Sequence, residues 1–170
     1  MDIFSHGLWG AAAFGRSNGG FTKKKFWTAL AFGVAPDLFS FGILFVQDVA
    51  HFITAGSFRY PHDMESGGIN LPQYVFSAYN VTHSLFVFAA TFFLLWAIFK
   101  KPVWESLAWG LHILVDIPTH THAFFPTPFL WPFFNFTLDG WSWGSPWIFF
   151  PNVFALALVY FWFYRSRKKK

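Results

Sequence analysis

The chain has no cysteine. That excludes a disulfide framework, a thiolate-bound zinc and a thiol nucleophile, and it leaves the redox compartment open. Charge is also scarce. Only 12% of the 170 residues are Asp, Glu, Lys or Arg, against about 25% in an ordinary soluble domain. There is no Gly-x-Ser-x-Gly elbow for a serine nucleophile, and no internal repeat or low-complexity segment apart from the terminal lysines. What fills the chain instead is 55% hydrophobic residues, 25% of all positions being aromatic, arranged in long runs. This composition predicts an all-α fold: a polytopic membrane bundle of about four to five helices, forming a single embedded domain over residues 1–170.

Apolar segments run over roughly 3–15, 26–50, 74–99, 103–119 and 147–164. The second and third are long enough to cross about 30 Å of hydrocarbon. The fourth is short and stops at Pro118-Thr119. The first, IFSHGLWGAAAFG, is too short to span alone. It is preceded by Asp2 and followed by basic residues, the reverse of a secretory signal.

Eleven of the twelve basic residues fall on one side of an alternating topology, Arg59 being the exception. The positive-inside rule makes that side cytoplasmic. It predicts an outer N-terminus, a basic cytoplasmic tail at 165–170, and insertion in the inner (cytoplasmic) membrane. The basic clusters are thereby explained as topology and headgroup contacts, with membrane lipids and not nucleic acid as partners. Residues 120–146 carry Pro126, Pro128 and Pro132 with Trp131, Trp141 and Trp143. They predict a non-helical, aromatic cap at the outer headgroup level.

Against this apolar background His6, Asp37, His83, His112 and Asp116 stand out. An ionisable group in lipid is costly unless it faces a polar interior with partners. Helix rise places Asp37 about 16 Å above the inner start of its segment and His83 about 13 Å below the outer start of its own. His112 lies about 13 Å up, with Asp116 about 6 Å higher and on the same face. Four segments thus bring polar groups to overlapping depths. Taken singly, each group has a structural reading: a packing pair, a histidine bonded to a carbonyl, an N-cap after Pro36, an interfacial histidine. Those readings would have to hold independently on four helices. Imidazoles and carboxylates meeting in a sheltered pocket suit a divalent metal, with zinc foremost and manganese or iron as alternatives. His51, His62 and His122 are assigned to outer loops, while His120 follows the fourth helix closely enough to reach the group.

The stretches SHGLWG, APDLF, NVTHSLF and HILVDIPTH followed by PFLWPF resemble the YdjM family of integral membrane, metal-dependent hydrolases, over about residues 3–135. The resemblance implies His6, Asp37, His83, His112 and Asp116 as metal residues. Two positions depart from the family pattern. Phe39 replaces a second acid after the PD, and Ala78 or Tyr79 stands where a further histidine precedes THS. His62 or His120 would then compensate from the outer segments.

The expected function is metal-dependent hydrolysis by a metal-activated water, with Asp116 and His83 as the catalytic candidates and Tyr79, Asn80 and Thr82 orienting the substrate. A pocket at lipid depth suits an amphiphilic substrate such as a phospholipid or another lipid-linked phosphoester. The alternatives are a metal-binding or transport protein, and a scaffold whose polar groups only specify helix packing.

Overall fold

The computed structural model describes residues 1–17, 20–57 and 71–167. His62, Arg59 and Lys168 to Lys170 lie outside the described residues. The order is α1 (Ile3–Phe14), β1 (Arg16–Ser17), β2 (Gly20–Phe21), α2 (Lys23–Ala55), α3 (Gln73–Thr82), α4 (Leu85–Phe99), a 3-10 turn (Trp104–Ser106), α5 (Leu107–Thr119) and α6 (Pro146–Arg167). The two short strands pair antiparallel and close the turn between α1 and α2.

Two helices, α2 and α6, are long and apolar enough to cross a membrane, and α3 with α4, bent by 61° at their break, is either a third, broken span or a re-entrant loop. At 1.5 Å per residue α1 and α5 reach only about 18–20 Å. They pack in the interior against α2, and between them they carry His6, His112 and Asp116.

The core is inverted relative to a soluble protein. Ala11, Ala29 and Ala108 are fully buried together with Ser40, His83 and Asp116, while Phe39, Phe45 and Trp147 are exposed. Where lipid tails solvate large apolar side chains, helices gain by close backbone approach at small residues. A Cβ on Gly33 would lie 2.7 Å from the His6 carbonyl and 3.1 Å from Gly7 Cα. The α1–α2 contact thus needs glycine at 33. Opposite, α6 is held on α1 by side chains: Trp9 Nε1 donates to Asn152 Oδ1 (2.8 Å), Asn152 Nδ2 to Ser5 Oγ (2.7 Å) and Tyr160 OH to the Leu8 carbonyl (2.8 Å).

One expectation is corrected. The segment 74–99 is not one helix but breaks at His83-Ser84. The freed backbone groups find partners elsewhere, as they must in an apolar medium. Leu85 N–H donates to the Phe129 carbonyl (3.0 Å), and Trp109 Nε1 donates to the Thr82 carbonyl (2.6 Å). Ser84 caps α4 by accepting from Val87 N–H (3.2 Å) and also donates to the Trp131 carbonyl. By contrast, the helix runs through Pro36 without a break, so Asp37 is a mid-helix residue and not an N-cap.

Residues 120–145 form no helix. They fold over the end of α5, where the N–H groups of Gly140, Trp141 and Trp143 donate to the carbonyls of His120, Pro118 and Thr119 at 2.8–3.0 Å. The last carbonyls of α5, which have no intrahelical partner, are satisfied in this way.

Gly33→Ala is expected to lower stability in detergent by about 1–3 kcal/mol, the usual cost of overpacking. Gly42→Ala, where nothing lies within 4 Å, is the control and should melt like the wild type. Equal melting temperatures for the two variants would contradict the close approach.

Candidate metal centre

The site is assembled on three anchored imidazoles. His112 Nδ1 lies 2.7 Å from the Gly33 carbonyl. A carbonyl only accepts, so Nδ1 carries the proton and, in the neutral ring, Nε2 is a bare acceptor. His83 Nδ1 lies 3.2 Å from the Tyr79 carbonyl and 3.0 Å from Thr82 Oγ1. Thr82 donates to the Ala78 carbonyl (2.9 Å), which leaves its oxygen to accept from the ring. His120 Nδ1 lies 2.8 Å from the Phe125 carbonyl. Three rings thus turn the same way, Nδ1 outward to the scaffold and Nε2 inward.

The inward atoms converge. His83 Nε2 and His112 Nε2 are 3.0 Å apart. Asp116 Oδ2 is 3.1 Å from His112 Nε2 and 3.5 Å from His83 Nε2. Asp37 Oδ1 stands slightly further off, 3.6 Å from His83 and 3.7 Å from His112. One ligand atom from each of Asp37, His83, His112 and Asp116 lies within 4.8 Å of the others, an arrangement that could hold a metal ion. The side chains of His83, His112 and Asp116 are closed off at 0–1% exposure, whereas Asp37 keeps 14%.

His6 stands beside this group. Its ring stacks on His112 at 3.6 Å. Its Nε2 is 2.9 Å from Asp116 Oδ1, yet that nitrogen has no hydrogen-bond partner among the described residues, and neither has the other carboxylate oxygen, Asp116 Oδ2. His120 Nε2 reaches within 3.4 Å of Asp116 Oδ1. The chain leaves α5 extended at His120, but the His120 amide still bonds the Asp116 carbonyl at 3.0 Å, which keeps the ring on the face of His112 and Asp116.

All five residues singled out from the sequence meet at this point, and His120 joins them. His51 and His122 do not. His51 lies on α2, not in a loop, and bonds the Ser57 carbonyl, while His122 pairs with Thr137 and its backbone N–H with Asp139. Tyr79 and Thr82 support the rings. Tyr79 stacks on His83 at 3.8 Å and donates to the Phe125 carbonyl at 2.9 Å. Phe125 has φ 46°, an uncommon conformation for an aromatic residue, and it directs one carbonyl to both Tyr79 and His120. Phe39 faces outward, 73% exposed, so no group replaces the missing acid at that position. Gly33 and Phe125 act through backbone carbonyls, which no side-chain motif reveals. Small-xxx-small spacings, Ala29 with Gly33 on α2 and Gly7 with Ala11 on α1, are the readable trace of the α1–α2 approach.

No curated protein and no solved structure matches the chain. A family model does, that of the YdjM inner membrane protein, over residues 1–170. With a match of that extent, spanning helices α2 and α6 and a buried His/Asp cluster that could hold a metal, the chain belongs to the YdjM family of inner membrane proteins.

Proposed function

We propose that the protein is a membrane-bound metal-dependent hydrolase acting on a lipid or another amphiphilic phosphoester. The observation that carries this reading is the pair of Nε2 atoms of His83 and His112, two acceptors 3.0 Å apart with no proton of their own between them. Such a contact repels unless a cation is shared. A single proton shared between the rings would relieve it but would leave Asp116 Oδ2, 3.1 Å from His112 Nε2, without a hydrogen-bond partner among the described residues. A divalent ion answers both.

The residues fit such an ion. His83 Nε2, His112 Nε2 and Asp116 Oδ2 make a triangle with edges of 3.0, 3.1 and 3.5 Å. Tetrahedral zinc with bonds near 2.0–2.1 Å has ligand–ligand edges of about 3.3 Å. Two histidines and one carboxylate, with a fourth position left open, form a common catalytic zinc set. Manganese or iron would accept the same donors. The ion, when bound, supplies Lewis acidity and a water acidified toward neutrality.

The chain's own groups then divide the work. His83 and Asp116, the catalytic candidates from sequence, act as ligands in this reading, since their lone pairs face the shared point. Asp37 keeps exposure and stands at the open side, so it is placed to take the proton from an arriving water. The carbonyls of Tyr79 and Gly33 hold the imidazoles in the ligating tautomer. The cap over α5 and the interior position of α1 shelter the site from bulk water. With the basic residues on the cytoplasmic side, the cap and the site lie toward the outer leaflet, where a lipid headgroup is within reach.

Purified protein reconstituted with labelled phospholipids is expected to release headgroup or phosphate, to lose that activity to a chelator, and to regain it with zinc or manganese. Asp37→Asn should lower kcat by about 10²–10⁴-fold, the usual contribution of a general base, while bound metal is retained. His112→Ala should lose metal and activity together. Metal-loaded protein with no turnover on any phosphoester or lipid would contradict the hydrolase reading.

A saturating divalent ion is expected to raise thermal stability by about 2.7 kcal/mol at 100 times its Kd. Asp116→Asn should abolish that increment, read as a metal-dependent shift in Tm. An equal shift in the variant would place the ion elsewhere.

A further inference from the structure

The two oxygens of Asp116 face different neighbours. Oδ2 looks toward His83 and His112. Oδ1 looks toward His6 Nε2 (2.9 Å), His120 Nε2 (3.4 Å) and the Met1 nitrogen, which it accepts as a close ion pair. That nitrogen also lies 3.3 Å from Thr119 Oγ1 and 3.2 Å from His120 Nε2. A positively charged nitrogen therefore sits among one carboxylate oxygen, one hydroxyl and one imidazole lone pair. His120 Nδ1 is committed to the Phe125 carbonyl, so its Nε2 can only accept in the neutral ring. His6 Nε2 is the second independent sign, being buried, without a hydrogen-bond partner among the described residues and 2.9 Å from the same oxygen.

We propose that His6, His120 and Asp116 Oδ1, with Thr119 alongside, form a second cation subsite that shares Asp116 as a bridge with the His83–His112 site. This rests on the metal reading above and extends it to two ions. The Met1 nitrogen makes there the contacts that a metal ion would make.

The charge balance then selects the substrate. Asp37 and Asp116 bring two negative charges. One divalent ion neutralises them, and the Met1 ammonium, where it stays paired with Asp116, leaves a surplus of one positive charge. Two divalent ions leave a surplus of two positive charges in a buried site, which an anionic phosphoester compensates and a neutral ester or amide does not. A pair of ions is also suited to holding both the attacking and the leaving oxygen of a phosphoryl displacement.

The test is the number of ions bound. Chelator-stripped protein in detergent is titrated with manganese and with zinc, and bound metal is counted by elemental analysis. About two equivalents are expected in the wild type, as in a two-metal site. His120→Ala and His6→Ala should each fall to one. Asp139→Ala removes the acceptor of the His122 N–H in the cap and leaves His6, His120, Asp116 and Thr119 in place, and it should still bind two. That variant separates loss of a ligand from disturbance of the cap. One equivalent in the wild type, unchanged in His6→Ala and His120→Ala, overturns the second subsite and leaves the first intact. No metal in the wild type overturns both. Should the histidine variants fail to fold, electron paramagnetic resonance of manganese-loaded wild type decides. Ions bridged by one carboxylate give an exchange-coupled spectrum, and an uncoupled spectrum at saturation overturns the bridge.

Discussion

A backbone carbonyl can only accept a hydrogen bond, and this constraint organises the protein. Gly33, Tyr79 and Phe125 each place a carbonyl on a histidine Nδ1. Each therefore settles the tautomer and directs a lone pair inward. Three lone pairs and two carboxylates meeting at the centre of an apolar bundle are costly unless a cation joins them. The metal proposal follows from that arithmetic, and so does the architecture around it.

The surrounding elements can be read as devices that bring those carbonyls into position. Gly33 lets α1 press onto α2, so that His6 stacks on His112 while the Gly33 carbonyl stays open to the ring. The break after His83 turns α4 away by 61° and leaves the His83 ring pointing into the bundle, where a continuous helix would have to keep Ser84 and Leu85 in register. The cap closes the break and the end of α5 with its own carbonyls and amides, and it brings Phe125 over His120. Asn152, in α6, fixes α1 from the far side through Trp9 and Ser5. Short α1 and α5 bring His6, His112 and Asp116 to the cluster, α2 brings Asp37, and His83 closes α3.

Much of this was legible in the sequence because the signal was a contradiction: ionisable residues where lipid forbids them. Composition and run length gave the membrane bundle, and helix rise placed His6, Asp37, His83, His112 and Asp116 at matching depths. The spacing of His112 and Asp116 held as one face, and His120 continued it. What escaped has physical reasons. The break at His83-Ser84 carries no glycine or proline. It depends on Trp109, Phe129 and Trp131, which are distant in sequence and partner the freed groups only after folding. The roles of Gly33 and Phe125 reside in the backbone, and the sequence pattern tracks side chains. Tyr79 and Thr82 resemble substrate contacts on paper, and burial converts them into supports for His83. Asp37 draws attention beside Pro36, but only its residual exposure distinguishes it from the buried His83, His112 and Asp116.

The central claim is that the imidazole Nε2 atoms of His83 and His112 turn toward a metal ion they would share. X-ray absorption at the zinc edge of metal-loaded protein measures that directly. The account predicts imidazole scattering with nitrogen and oxygen neighbours near about 2.0–2.1 Å, diminished in His112→Ala and in His83→Ala. A zinc spectrum of water-like oxygen neighbours alone, unchanged in both variants, would contradict it and leave the buried cluster as a packing device.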